Sequence, residues 1–348
     1  MEQEKSNGVS KPLVAIGVPV YNGEKYLDEC LNSILSQTYS NWECVVVNNC
    51  SADASSQIAQ KYVDMDDRFR LVDYKEFVGL VENWNRLYPN ISKDAVYFKV
   101  IQADDWIYPE AIEQMVDLME KYPSAGLCSS YRIDGRKVNC DGLDYYEGPF
   151  FSGQEMLKRH LMGGLDITGS VTTPLFRVEV LKKLPTYPNL FDEEEYHIDT
   201  RLVYEMMHLA DVVFAFRVLS YTRWHDDAET LRLCTRFNTF LSGKEHRLHR
   251  FRQLYPELEG QYRKHRDHYA YFLLKERIKG NKDSLEWHEK YMKKKFTFFD
   301  YVRAALTQNG LTYRMMAMFR KFPRHLLNFK TFSVKIKTQQ PATEMNKS

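Results

Sequence analysis

Over the first 120 positions, short apolar runs alternate with stretches whose apolar residues recur at helical spacing. Leu13–Pro19 is apolar and bounded by Pro12 and Pro19, too short for a helix, and reads as a buried strand. Tyr21-Asn22-Gly23 turns the chain. Glu24–Ser36 then sets Tyr26, Leu27, Cys30, Leu31, Ile34 and Leu35 on one helical face. Trp42–Val47 predicts a second strand, and Ser51-Ala52-Asp53 caps a helix reaching about Val63. A strand at Phe69–Asp73, a helix from about Val78 to Leu87, a strand at Ala95–Ile101 and a helix at Pro109–Lys121 continue the series. Such alternation predicts an α/β fold, a Rossmann-like, mostly parallel sheet flanked by helices.

Beyond Gly126 the pattern loosens. Gly163-Gly164 and Thr168–Thr173 form a small-residue loop before the stretch Pro174–Leu181. Asp199–Leu209 has helical spacing, and Val212–Tyr221 predicts a strand with an aromatic-rich face. From about Arg236 onward the reading is mostly helix, rich in Tyr, Phe, His and basic residues.

Composition narrows the class. With 348 residues, 44% of them hydrophobic and 27% charged, the chain can bury a large core and is ordinary for a soluble protein. No run of eighteen apolar residues predicts a membrane-spanning helix. The polar opening MEQEKSNGVSK lacks a signal core and reads as a flexible tail over residues 1–11. Six cysteines without a C-x-x-C pair predict reduced thiols in the cytoplasm and no structural zinc. The net charge of +1 hides an asymmetry: residues 235–348 carry 25 Lys/Arg against 10 Asp/Glu, which leaves the front acidic.

In open parallel sheets, ligands bind beyond the carboxyl ends of the strands. Three such ends here are polar. The first carries Pro19, Val20, Tyr21, Asn22 and Glu24; the second runs Asn48 to Asp53; the fourth carries Gln102, Ala103, Asp104 and Asp105. Two adjacent carboxylates behind an apolar strand are either a solvated turn or a site for a hard divalent cation.

The stretch VPVYNGEKYLDECLNSILSQTYSNWECVVVNNCSADAS resembles the opening of family 2 glycosyltransferases, which have the GT-A fold. FVGLVENWNRL followed by VYFKVIQADDWIYPEAIEQMV is similar to the family's next segment, where an Asp-x-Asp-type motif binds metal and nucleotide-sugar. YHIDTRLVYEMMHLADVVFAFRVLSYTRWHDDAET resembles its acidic catalytic helix and the Arg-x-His strand end after it. The likeness spans about Pro12 to Leu231. It implies a GT-A domain over residues 12–234; composition and pattern predict a basic helical C-terminal extension over 235–338 and a disordered tail over 339–348.

The resemblance implies Asp104 as first choice for the Mn²⁺ or Mg²⁺ ligand, with Asp105 close behind and His225 as a third. A cation between diphosphate oxygens stabilises the charge that grows on the leaving group. Pro19, Val20, Tyr21, Asn22, Glu24, Asn48, Asn83, Gln102, Ala103 and Asp104 are the implied nucleotide-sugar contacts, with a UDP-sugar as the expected donor. Two departures from the family stand out. Gln102 replaces an acid, although an amide still hydrogen-bonds a ribose hydroxyl. Asn48 replaces the Asp usually set against the base. Asp199 matches the family's catalytic acid and is the candidate general base; its usual partner position holds Ile198, and Glu195 is the runner-up.

The implied reaction is transfer of a sugar to a hydroxyl of a glycan or lipid-linked acceptor, inverting and metal dependent, in surface polysaccharide assembly. The rival is a catalytically inactive GT-A-fold protein that binds nucleotide or glycan, a reading that Gln102, Asn48 and Ile198 favour. In the basic C-terminal region, Lys293–Phe299 and Phe319–Arg324 suit contact with an anionic membrane surface, which would make the protein peripheral on the inner face of the plasma membrane. Homo-oligomer contact is the alternative. No nucleic-acid module occurs, so nucleic acid is not an expected partner.

Overall fold

The computed structural model describes residues 11–140, 143, 145–163, 165, 167, 169–191, 197–225, 236–292 and 294–308. The front of the chain alternates as its pattern predicts: β1 (Val14–Val20), α1 (Leu27–Leu35), β2 (Trp42–Asn49), α2 (Ser55–Met65), β3 (Phe69–Tyr74), α3 (Leu80–Asn85), β4 (Tyr97–Val100), β5 (Trp106–Ile107) and α4 (Ala111–Lys121). Then follow β6 (Ala125–Asp134), β7 (Lys137–Asn139), β8 (Phe150–Phe151), α5 (Gly153–Met162), β9 (Leu175–Arg177), α6 (Val178–Leu181), α7 (Ile198–Leu209) and β10 (Asp211–Thr222). Helices α8 (Phe240–Phe251), α9 (Glu259–Lys279), α10 (Lys282–Tyr291) and α11 (Phe298–Gln308) form the C-terminal extension.

One sheet runs in the order β3-β2-β1-β4-β9-β6-β10-β5, with β7 on β6 and β8 on β10. β1 pairs in parallel with β2 and β4, β2 with β3, and β6 with β10. Only short strands are antiparallel, with β9 inserted between β4 and β6. The sheet is therefore mostly parallel in its long strands and mixed where short ones join. Pro19 lies beyond Gly17, the last β1 residue paired with β4, so its missing N–H costs no rung on that side.

Side-chain alternation divides the core into two layers. Val14, Ile16, Val18 and Val20 point to one face and pack with Leu27, Leu31 and Ile34 of α1 and with Ile112, Met115 and Met119 of α4. Ala15, Val45, Val47 and Phe98 point to the other, with Leu157 of α5 and Leu202 and Met206 of α7. Leu248 and Phe251 of α8 join that second layer, so the extension begins inside the main core. Leu241, Tyr269 and Leu273 nucleate a smaller cluster farther out. Arg266 meets Glu245 there at 3.0 Å, both buried.

Cys30, Cys44, Cys50 and Cys128 are free thiols. Among the described residues no helix is long and apolar enough to cross a membrane. Residues 1–10 of the flexible opening expected from the sequence, its disordered tail, Glu195, and Phe319–Arg324 all lie outside the described residues, whereas Lys11 is described and its carbonyl accepts from Asn41 Nδ2.

Candidate active site

The β1 and β2 ends are laced together by their loops. Asn22 takes a left-handed backbone (φ 51°), which Asn tolerates well. Its N–H donates to Ser51 Oγ at 2.9 Å, and its Oδ1 accepts from Ala52 N at 2.9 Å. Gly23 N donates to Ser55 Oγ at 2.8 Å, Glu24 N to Asp53 Oδ2 at 3.0 Å, and Ala54 N to Glu24 Oε2 at 2.9 Å. Asn22 and Glu24 are thus engaged in holding two loops in register, while Pro19 and Val20 are buried in the strand. Tyr21 stands exposed, its ring 4.7 Å from that of Phe77.

Asn48 is 1% exposed and fully engaged. Its Nδ2 donates to Asp73 Oδ1 at 2.7 Å, and its Oδ1 accepts from Ser51 Oγ at 2.5 Å. The carboxylate that remains partly open at this end is Asp73, absent from the sequence-level candidates. Lys75 donates to it at 2.6 Å and, with Asn48, holds its carboxyl below the usual range. Asp73 also explains Asn48: an Asp there would set two carboxylates together where an amide now donates. Asn49 accepts from Val78 N at 3.0 Å and donates to Val78 O at 2.8 Å, tying down the loop that carries Phe77. Asn83 of α3 is buried, and among the described residues its Oδ1 has no hydrogen-bond partner.

The structure separates the two adjacent acids. Asp105 is 1% exposed, and its Oδ2 accepts from Thr172 Oγ1 at 2.6 Å. Its Oδ1 accepts from Arg223 N at 3.0 Å, so it pins the end of β10 to the end of β4. Burial, with Asp104 next to it, pushes its carboxyl up to about 7. Asp104 faces outward and meets His225 Nε2 at 2.9 Å. Arg223 steadies the turn from outside, donating to Asp104 O at 3.0 Å, reaching Glu29, and lying over the Tyr26 ring at 4.5 Å. Gln102 offers its N–H to Thr172 Oγ1 at 3.1 Å and is partly exposed beside Ala103.

Beneath this turn sits Lys99, also 1% exposed. Its Nζ donates to Thr172 O at 2.7 Å, Thr173 O at 3.0 Å and Pro174 O at 3.3 Å. Burial pushes its ammonium down to about 7. Lys99 thereby fixes Thr172, and Thr172 fixes both Gln102 and Asp105. The neighbouring Gly169 has φ 61°, and a Cβ there would lie 2.4 Å from Thr173 Oγ1. That glycine serves close packing. Gly163, at φ 93°, meets open space instead.

Asp199 opens α7. Its Oδ1 accepts from Thr200 N at 2.7 Å, a local bond that leaves the carboxylate's other oxygen for other partners. Burial raises its carboxyl above the ordinary range, opposed by Thr200, Arg247 and Arg132. Ile198 turns into the core. Arg132, missed in the sequence, is buried on β6 and donates to Thr222 Oγ1 at 2.9 Å and Asp134 Oδ2 at 3.2 Å. Its charge favours the ionised form of both Asp105 and Asp199. Arg247 brings α8 to the same place.

The donor set at Asp104 and His225, one carboxylate oxygen and one imidazole nitrogen at hydrogen-bond distance, suits a Mn²⁺-type cation. Among the described residues no third His, Cys, Asp or Glu completes a cluster with them. A cation held here would take its other ligands from water and phosphate, the usual habit of Mg²⁺ at phosphate sites.

Solved structures share this fold. TarS of S. aureus (residues 1–349), crystallised with UDP-GlcNAc, superposes with a TM-score of 0.52 at 17% identity, covering 68% of this chain and 66% of that one. The mannosyltransferase PcManGT from Pyrobaculum calidifontis, in complex with GDP-Man and Mn²⁺, gives 0.53 at 15% identity over 90% of this chain and 84% of that one. The architecture is therefore GT-A-like, a curled sheet between helices with the acids at its strand ends. Residues 15–184 match the model of glycosyl transferase family 2, and the curated glycosyltransferase relatives support the same family. An uncharacterized glycosyltransferase of Rickettsia typhi is 31% identical over 223 residues, 63% of this chain. The chain spans 57% and 66% of the length of two curated relatives it matches.

Proposed function

We propose that the protein transfers a sugar from a nucleotide-sugar to a hydroxyl of a glycan or lipid-linked acceptor, with a divalent cation and inversion at the anomeric carbon. The observation that carries this reading is the division of labour at the strand ends. Asp105 is spent on holding the turn, which leaves Asp104 partly exposed and paired with the largely buried His225 imidazole, while Asp199 keeps a raised carboxyl.

Asp104 and His225 would hold Mn²⁺ or Mg²⁺ against the diphosphate. When bound, the cation neutralises the charge developing on the departing diphosphate. Asp199 accepts the proton of the acceptor hydroxyl as that oxygen attacks the anomeric carbon. The bond from that carbon to the phosphate oxygen breaks, and its electron pair leaves with the nucleoside diphosphate. A carboxyl held above its ordinary range is a stronger base in its ionised form. One displacement without an enzyme nucleophile inverts the centre.

Tyr21, Phe77 and Asp73 at the β1–β3 end are the residues placed to meet the nucleoside. A UDP-sugar is the first donor to test, since a structural neighbour is solved with UDP-GlcNAc; GDP-mannose, bound by another, is the second. Exposed Phe298 and Phe299 follow Lys294 and Lys295, which supports contact of the extension with an anionic membrane and a lipid-linked acceptor in surface polysaccharide assembly.

Asn48, buried and held by Asp73 and Ser51, favours the rival, a protein that kept the fold to bind nucleotide without turnover. Release of nucleoside diphosphate from UDP-GlcNAc or GDP-mannose with Mn²⁺ separates the two. Turnover lost in Asp104→Ala supports transfer; metal-dependent nucleotide binding with no release from any donor or acceptor sinks it.

A further inference from the structure

Trp224 presents a large apolar side chain to solvent, 60% exposed, between two residues that are tied to the acidic turn. Arg223 donates its N–H to Asp105 and His225 meets Asp104, so the backbone on either side is fixed. The indole is fixed as well. Its Nε1 donates to Asp134 Oδ1, and Asp134 is itself held through Oδ2 by Arg132 at 3.2 Å and Asn139 Nδ2 at 3.1 Å.

The ring rests on the β6–β7 turn at Gly135. A Cβ built on Gly135 would lie 3.0 Å from Trp224 Cδ1 and 3.1 Å from Cγ. Only a glycine lets the indole lie this flat, and the positive φ of 63° suits glycine too. Among the described residues Trp224 has no ring or cation partner of its own. An exposed indole gains little for folding, yet here several bonds hold it in one orientation. Aromatic faces held in this way receive apolar faces of ligands.

We propose that Trp224 is a platform on which a sugar ring of the acceptor stacks. The assignment to the acceptor follows from position in the sheet. Tyr21, Asp73 and Phe77 stand at the β3-β2-β1 end, whereas Trp224 follows β10 and sits on the β6 turn, four strands farther along. Through Asp134 it is joined to Arg132, whose charge also reaches Asp199, the candidate base. The C–H face of a pyranose is the chemistry that matches a bare indole with polar neighbours at its rim.

This inference rests on the transfer reading above, and its test keeps the two apart. Release of nucleoside diphosphate from UDP-GlcNAc and GDP-mannose with Mn²⁺ is measured in water alone. It is then measured with alkyl glycosides of glucose, galactose, mannose and N-acetylglucosamine as acceptors. In Trp224→Ala the KM for a stimulating glycoside rises about tenfold, while hydrolysis in water and the donor KM stay unchanged. Trp224→Phe keeps most of the acceptor affinity. Gly135→Ala, which lifts the ring from its seat, weakens the acceptor as Trp224→Ala does. Glycosides that stimulate wild type and Trp224→Ala with equal KM overturn the platform, and so does an equal loss of hydrolysis and transfer. Wild type that releases nucleotide from neither donor fails at the transfer reading itself, and the platform falls with it.

Discussion

Lys99→Met tests whether the acidic turn is held from below. The substitution keeps the volume and removes the amine that serves Thr172 O, Thr173 O and Pro174 O. Each buried carbonyl left without a donor costs about 1–3 kcal/mol, so losing the two shorter bonds destabilises the fold by about 2–6 kcal/mol where Lys99 is neutral. The pH dependence carries the sign. Lys99 falls from 10.5 to about 7 on folding, so between those values the unfolded chain binds the extra proton. Wild-type stability from this group therefore rises with pH through that window, by about 1.4 kcal/mol per unit. Lys99→Met lacks the slope, so wild type gains on it from pH 7 to 10 and the gap narrows on acidification. Urea unfolding at several pH values measures the gap. The variant should also release nucleotide more slowly, because Thr172 then loses its grip on Gln102 and Asp105. A stability gap that is flat with pH would refute a titrating buried lysine, and full turnover in a destabilised variant would refute its role under the site.

Asn48→Asp sets a carboxylate against Asp73 Oδ1, now 2.7 Å from the amide. It should destabilise the protein by about 1–3 kcal/mol at neutral pH and less at pH 4, read by thermal unfolding at both. Asp199→Asn should cut transfer by about 10²–10⁴-fold with a melting temperature no lower than wild type, because the carboxylate's bonds are local to Thr200 and burial opposes its charge. Since Asp199 works ionised and its carboxyl is raised, kcat/KM for transfer should fall on acidification at a pH above the ordinary carboxylate range. Gly169→Ala, at a positive φ and against Thr173, should cost about 1–3 kcal/mol in a denaturant melt.

The front half of the fold was legible because each element there has a clean period, and all four expected strands and helices from Leu13 to Lys121 are present within a few residues. β6 was not. Its sequence AGLCSSYRID interrupts the apolar run with two buried serines, whose hydroxyls are satisfied by Ile167 O at 2.5 Å and Tyr131 O at 3.0 Å. Local reading scores such a segment as loop. Strands β5, β8 and β9 have only two or three residues and exist through long-range pairing. At the site, the sequence named Asp104, Asp105, Asp199 and His225 but left open which acid faces outward. The choice is made by Thr172 and Arg223, 67 and 118 residues from Asp105. Lys99 was hidden in an apolar strand for the same reason: its acceptors lie 73–75 residues away. Asp73 and Arg132 carry no motif, and only the packed strand ends reveal them.

The Asp104–His225 pair at the acidic turn is the centre of the account, and nucleotide release with and without Mn²⁺ tests it most directly. Wild type, Asp104→Ala, His225→Ala and Asp105→Asn are compared with UDP-GlcNAc and GDP-mannose, alongside their melting curves. Asp104→Ala should lose metal-dependent release while keeping its melting temperature, and His225→Ala should need more Mn²⁺ for half-maximal rate. Asp105→Asn should act chiefly on the melting curve. Undiminished, metal-stimulated release in Asp104→Ala would contradict the account.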